Sequence, residues 1–138
     1  MHQTLAILTF DTGGQGLHDI TEDVTSWLRA TDIRVGIVTL FCQHTSASLL
    51  ISENASPAVK RDLMRWLAAA APEGDGYEHR SEGVDDMPAH IKAMLTGTSV
   101  TIPLADGKMM LGSWQGVFLV EHRHAAHKRY IVAHVMGD

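Results

Sequence analysis

Cysteine is almost missing: Cys42 stands alone, which excludes an internal disulfide and every zinc module built on cysteines. Basic residues are the minority, 11 against 16 acidic, for a formal net charge of −5 with histidine neutral. Without a basic stripe to follow a phosphate backbone, nucleic acid is not an expected partner. Long hydrophobic runs are also lacking. No stretch reaches the roughly 18 apolar residues of a membrane span, so no membrane partner is expected either. Met1-His2-Gln3-Thr4 has no positive stretch of the kind that opens a signal peptide, and the expected location is the cytoplasm.

The 138 residues are 45% hydrophobic, enough for one core and a single domain over 1–138. Nine histidines are the unusual presence; beside one thiol they favour nitrogen and oxygen ligands for any metal. Thr4–Phe10 reads as a strand, broken by the glycines of 11–16. A capping-box-like Asp19-Ile-Thr-Glu22 starts a helix that runs to about Ala30. Ile33–Phe41 is β-branched and reads as a buried strand. The polar turn Cys42–Ser48 follows it, then Leu49–Ile51. Ser56-Pro57 opens a second helix with Val59, Leu63, Trp66, Leu67 and Ala70 inward. Residues 72–86 form a long polar loop, and Pro88 opens a short helix with Ile91, Met94 and Leu95 inward. Ser99–Leu104 and Lys108–Leu111 form a hairpin through Asp106-Gly107. Gln115–Glu121 and Arg129–Val135 are expected to pair with each other. The expected class is α+β, largely antiparallel and sandwich-like, with two to three helices.

Chemistry-bearing residues fall into four places. His44, Thr45, Ser46 and Ser48 leave a buried strand, where a histidine can bind a metal and hydroxyls can hold a phosphate. Cys42 is expected as a small buried hydrophobe or a minor site member. His79 lies in the polar loop, and Asp85, Asp86, His90 and Lys92 surround the start of the third helix. Gly112–Gly116 presents Trp114 as a core anchor or aromatic wall and Gln115 as an orienting group, with Glu53-Asn54 a further candidate. Glu121 and Arg123 share a strand face, as a local ion pair or with Arg123 as an anion clamp. His122, His124, His127 and His134 show no ligand spacing and are expected on a solvated face. If they converge, His44, His79 and His90 could supply three ligands with Asp86, Cys42 or water as a fourth; the alternatives are a backbone-bonded His44, a solvated His79 and a surface His90 on the helix.

Taken together, HTSAS at 44–48, Glu53-Asn54, Asp62, His79, DDMPAHIK at 85–92, Pro103, LGSWQG at 111–116 and Glu121-x-Arg123 resemble the YjbQ family. That group is often labelled secondary thiamine-phosphate synthase. The resemblance implies a compact α+β fold with sandwich-like sheets, a homotrimer with pockets near subunit boundaries, and a metal on His44, His79 and His90. It also points to Ser46, Glu53, Asn54, Lys92, Trp114, Gln115 and Arg123 as pocket residues. Ser113 departs from a threonine common in the family, and His124–Lys128 departs from its Gly-Pro turn.

The label implies joining a pyrimidine diphosphate to a thiazole phosphate with loss of pyrophosphate. Trp114 would offer a slot for flat rings, while Ser46, Asn54, Lys92 and Arg123 would hold the small phosphorylated ligand. A histidine site suits zinc, whereas pyrophosphate departure suits Mg²⁺ on carboxylates. The alternatives are a metal-dependent hydrolase, with Glu53 or Asp86 as general base and Gln115 orienting the substrate, and a trimeric binder of metal or phosphate ligands.

Overall fold

The computed structural model describes residues 1–74 and 76–138; Asp75, within the long polar loop, lies outside the described residues. The elements run β1 (His2–Thr12), β2 (Gly16–Asp19), α1 (Thr21–Arg29), β3 (Gly36–Cys42), β4 (Ala47–Glu53), α2 (Pro57–Ala70), α3 (Asp86–Thr96), β5 (Ser99–Ala105), β6 (Lys108–Met109), β7 (Gln115–Glu121) and β8 (His127–Gly137). The α+β class expected from the sequence is the one observed. A five-stranded antiparallel sheet, β1-β8-β3-β5-β6, faces a three-stranded one, β2-β7-β4. Among the described residues no helix is long and apolar enough to cross a membrane.

The alternation of β3 and β8 builds the core between the sheets. Val38, Leu40, Ile131, Ala133 and Val135 of the larger sheet meet Leu49, Val117 and Leu119 of the smaller one. β7 is different because every residue from Gly116 to Glu121 is buried. Its second face, with Phe118 and Val120, turns away from the sandwich toward the helices. Lys60 of α2 lies over the Phe118 ring, 5.0 Å from its centroid. The layers are therefore sheet, sheet and helices, and an apolar run without alternation is what a strand covered on both sides requires.

Four sequence expectations are corrected. β7 and β8 do not pair: β7 joins β2 and β4, while β8 joins β1 and β3. The connection over 122–126 therefore crosses between sheets. Gly16–Asp19, expected only as the end of a glycine break and the start of a helix, is an edge strand. The α1 capping box does not form, because Ile20 occupies the cap and Asp19 accepts from the Thr21 amide and hydroxyl instead. Helix faces also differ. Leu67 is the buried residue of α2 and Trp66 points outward, while α3 buries Asp86, Pro88, Ala89, Lys92 and Ala93 and exposes Met94 and Leu95. Small residues let α3 approach the sheet closely, and its inward Asp86 meets His79, His90 and Arg123. At the β5–β6 turn, Asp106 and Gly107 have φ of 53° and 74°, the left-handed pair that a two-residue hairpin needs.

Candidate functional site

The chain brings His79, Asp86 and His90 together at the start of α3. Asp86 and His90 are four residues apart on one helix and so share a face. His79 reaches the same point from the preceding loop. His79 Nε2 is 2.8 Å and His90 Nε2 3.1 Å from the same oxygen, Asp86 Oδ2. The three ligand atoms all lie within 4.8 Å of one another, and tetrahedral zinc ligands sit about 3.3 Å apart at ordinary bond lengths.

The proton bookkeeping of His90 is informative. Its Nδ1–H donates to the Thr45 carbonyl at 2.8 Å, because a carbonyl can only accept. In the neutral ring Nε2 is then a bare lone pair. It faces a carboxylate oxygen, which is also an acceptor. That contact is attractive only with a positive charge present, from a protonated ring or from a cation between the two. A backbone carbonyl on the far nitrogen is also the usual way a metal-ligating histidine is oriented.

Arg123 holds this arrangement. Its Nε donates to Asp85 Oδ2 (3.0 Å), its Nη1 to Asp86 Oδ1 (2.9 Å) and its Nη2 to the Glu82 carbonyl (2.8 Å). Burial alone would raise the Asp86 carboxyl, but His79, His90 and Arg123 outweigh it and hold it below the usual carboxylate range. Arg123 is thus a clamp on the two aspartates, with each of its three nitrogens donating to Asp85, Asp86 or the Glu82 carbonyl, and not a free anion clamp.

The other expected site residues are dispersed. His44 is outside the three-residue group; its Nε2 accepts the Tyr130 amide at 2.8 Å and its ring stacks on Tyr130. It does line one cavity with His90. Burial is the main cause holding the His44 ring below its ordinary pKa. Ser46 is buried, and its Oγ accepts from Arg129 Nη2 at 3.0 Å, so it faces the ion-pair network and not an open phosphate site. Lys92 is buried, with its pKa pushed down chiefly by that burial. Two residues from His90, it projects from the opposite flank of α3. Cys42 is buried and its thiol is pushed up by burial.

Glu53, Asn54, Trp114 and Gln115 lie elsewhere altogether. Ala47 pairs with Glu121 at one end of the β4–β7 ladder and Glu53 with Gln115 at the other. The six residue steps between them span about 20 Å of strand. Their polar atoms shape that end locally. Glu53 Oε2 accepts the Ala55 and Ser56 amides, Asn54 Nδ2 donates to the Gln115 carbonyl, and Gln115 Oε1 accepts the Gly112 amide. Trp114 is 66% exposed and is not a core anchor. Within one chain, neither Glu53 nor Gln115 reaches the histidines.

Two groups named in the sequence reading are buried and partnered otherwise than expected. Glu121 is paired with Arg129 across the sheet gap, through Nε at 2.7 Å, and not with Arg123. His122 is fully buried, contrary to the solvated-face expectation. Thr96 Oγ1 donates to the Lys92 carbonyl and lies against Ser48 Oγ, which lies 2.8 Å from His122 Nε2. One direction satisfies all three contacts: His122 Nε2–H to Ser48, Ser48 to Thr96, and Thr96 to the carbonyl. That leaves His122 Nδ1 as a buried, unpartnered acceptor. Burial, then the nearby Lys92 charge, lowers His122 to about 4, against an unfolded value of about 6.5. Between those values the unfolded chain binds a proton that the native one refuses. Stability is therefore full above about pH 6.5 and declines as pH falls, by up to about 3 kcal/mol near pH 4. Urea midpoints across this window should flatten in His122→Gln relative to wild type; parallel curves would refute the assignment.

The UPF0047 protein YjbQ-like family model matches residues 6–138. The UPF0047 protein sll1880 of Synechocystis sp. is 46% identical over 133 residues, 96% of this chain and 90% of the relative. The UPF0047 protein YjbQ of Escherichia coli O157:H7 is 39% identical over 132 residues, 95% and 96% of the two chains. The crystal structure of an uncharacterized conserved protein of the same family from Clostridium acetobutylicum superposes with a TM-score of 0.88 at 32% identity, covering 95% of this chain and 99% of that one. A YbjQ-like protein of unknown function from Sulfolobus solfataricus, at 22% identity, shares the fold with a TM-score of 0.87 over 99% and 100% of the two chains. The chain belongs to the UPF0047 family of YjbQ-like proteins.

Proposed function

We propose that this protein binds one divalent metal ion, zinc by the nature of its donors, through His79, Asp86 and His90. The observation that carries the reading is the bare His90 Nε2 facing Asp86 Oδ2 at 3.1 Å, an acceptor pair that a cation between them makes favourable. Two imidazoles and a carboxylate suit zinc, nickel or iron better than magnesium, which prefers an all-oxygen shell. His44, expected as the third histidine ligand, belongs in this reading to the adjoining pocket wall. Bound zinc supplies a Lewis acid and makes its water more acidic. The chain's own part is to hold Asp86 by Arg123 and His90 by the Thr45 carbonyl, so that the donor atoms stay converged. This favours a metal-dependent hydrolase or a metal-dependent binder over a thiamine-phosphate synthase. Ser46 is buried and Arg123 is held by Asp85, Asp86 and the Glu82 carbonyl, and Lys92 leaves the far flank of the helix. Titration of metal-free protein against a chromophoric zinc chelator should show one equivalent bound. No stoichiometric zinc, nickel or iron would sink the reading.

A second copy is proposed for the outer face of the five-stranded sheet, in the homotrimer expected above. Ile7, Val132 and Phe41 form one cross-strand row there, and Ile7 and Phe41 are exposed with Leu5 and Tyr130 nearby. Exposed contiguous apolar surface of this kind marks an interface. Sedimentation should give three times the 15.1 kDa chain mass, with Phe41→Asp releasing monomer. A monomeric wild type refutes it.

A further inference from the structure

The lining and charge of the cavity beside His90 narrow the class of ligand it takes. The cavity is about 540 Å³ and is lined by His44, Thr45, His90, Ala93, Met94 and Thr98, a size that suits a small organic molecule. Among the described residues that line it, none carries an ammonium or guanidinium group. Arg123 is committed to Asp85 and Asp86, and Arg129 to Glu121 and Ser46, while Lys92 leaves α3 on the flank opposite His90. The charge available to a ligand is therefore set by the ion and its surroundings. A divalent ion and Arg123 bring three positive charges, Asp85 and Asp86 remove two, and the ligating histidines are neutral. One positive charge remains.

The wall chemistry is equally restrictive. The Tyr130 amide donates to His44 Nε2, so the neutral His44 ring carries its proton on Nδ1 and has that donor left to give. The flat His44 ring lines the cavity and is steadied by stacking on Tyr130 at an interplanar angle of 16°, and Ala93 and Met94 supply apolar surface. Partly buried charge without a partner is costly. A diphosphate would bring excess negative charge against a single uncompensated positive one.

We infer that this pocket, resting on the metal reading above, takes a flat ligand whose oxygen-bearing head group is uncharged or singly anionic, such as an aromatic amide or carboxylate. Multiply charged phosphoesters are discriminated against. Isothermal titration of the zinc-loaded protein with benzamide, benzoate and phenylphosphonate tests this, because the three share a ring and differ in head-group charge. Benzamide or benzoate should bind at least about ten-fold more tightly than phenylphosphonate, or about 1.4 kcal/mol. Met94→Asp, at a solvent-exposed position of the wall, should weaken that binding about ten-fold with the zinc stoichiometry unchanged. Tightest binding of phenylphosphonate, equal or absent binding of all three, or wild-type affinity in Met94→Asp would overturn the inference while the metal site stands. A wild type that binds no metal overturns the metal reading itself, and metal analysis before titration separates the two failures.

Discussion

Replacing His90 by alanine is expected to abolish stoichiometric zinc binding, whereas replacing Arg123 by lysine weakens it about 10–100-fold. The difference follows from what each side chain touches. His90 offers its Nε2 lone pair at the convergence point and spends its other nitrogen on the Thr45 carbonyl, so its removal deletes a ligand. Arg123 does not enter the donor set. It holds Asp86 Oδ1 and leaves Oδ2 for the histidines, and loss of such an outer partner has the quoted cost. Lysine keeps the charge but cannot span Asp85, Asp86 and the Glu82 carbonyl together. Competition with a chelator of known affinity measures both. Equal affinities of His90→Ala and wild type would remove His90 from the site. Unchanged affinity in Arg123→Lys would reduce the clamp to a surface ion pair.

Glu121→Ala should be the most damaging single change to stability, at about 3–5 kcal/mol. Glu121 is 0% exposed and Arg129 3%, so truncation leaves a buried guanidinium uncompensated. The carboxylate also accepts the Thr12 hydroxyl at 2.6 Å, and Arg129 donates to the Ser46 carbonyl and hydroxyl. One network thus ties β1, β7, β8 and the turn carrying His44 and Thr45. Burial would raise the Glu121 carboxyl, but Arg129 and Thr12 outweigh it and hold it low. With the native value depressed, its contribution is present above the unfolded pKa of about 4.3 and is lost as pH falls through the native one. Thermal melts should show a loss on the order of 10–20 °C for Glu121→Ala, partly recovered by Glu121→Leu with Arg129→Met, which restores apolar packing. A loss below about 3 °C would mean that the network contributes little.

Local pattern made part of the site legible. Asp86 and His90 at a four-residue spacing, just past a helix start marked by Pro88, must share a face. The Asp106-Gly107 hairpin and the Pro57 helix start were readable for similar reasons, since each depends on backbone preferences of adjacent residues. Pairings between distant segments were not readable. Glu121 has Arg123 two residues away and Arg129 eight away, and separation in sequence favours the wrong one. Only the crossing of 122–126 from one sheet to the other puts Arg129 opposite the carboxylate. His122 looked solvated among charged neighbours, yet it continues the face of Phe118 and Val120 that turns toward the helices, and Ser48 links it to Thr96 of α3.

The helix faces show the same boundary. Met94 and Leu95 are apolar and Asp86 and Lys92 are charged, so hydrophobicity alone turns α3 the wrong way round. The observed orientation is set by partners that the helix meets only after folding: Arg123 and His79 for Asp86, and the close approach of Ala89 and Ala93 to the small sheet. The motifs HTSAS, DDMPAHIK and LGSWQG carried the family resemblance, while residue pattern and spacing determined the α+β class and the presence of a histidine–aspartate pair on one helix turn. The tertiary structure decided that His79 joins that pair while His44 forms part of a neighbouring wall, and that Glu53 and Gln115 stand about 20 Å away along the strands. Convergence of side chains depends on strand register and sheet order, which arise from contacts distant in the chain.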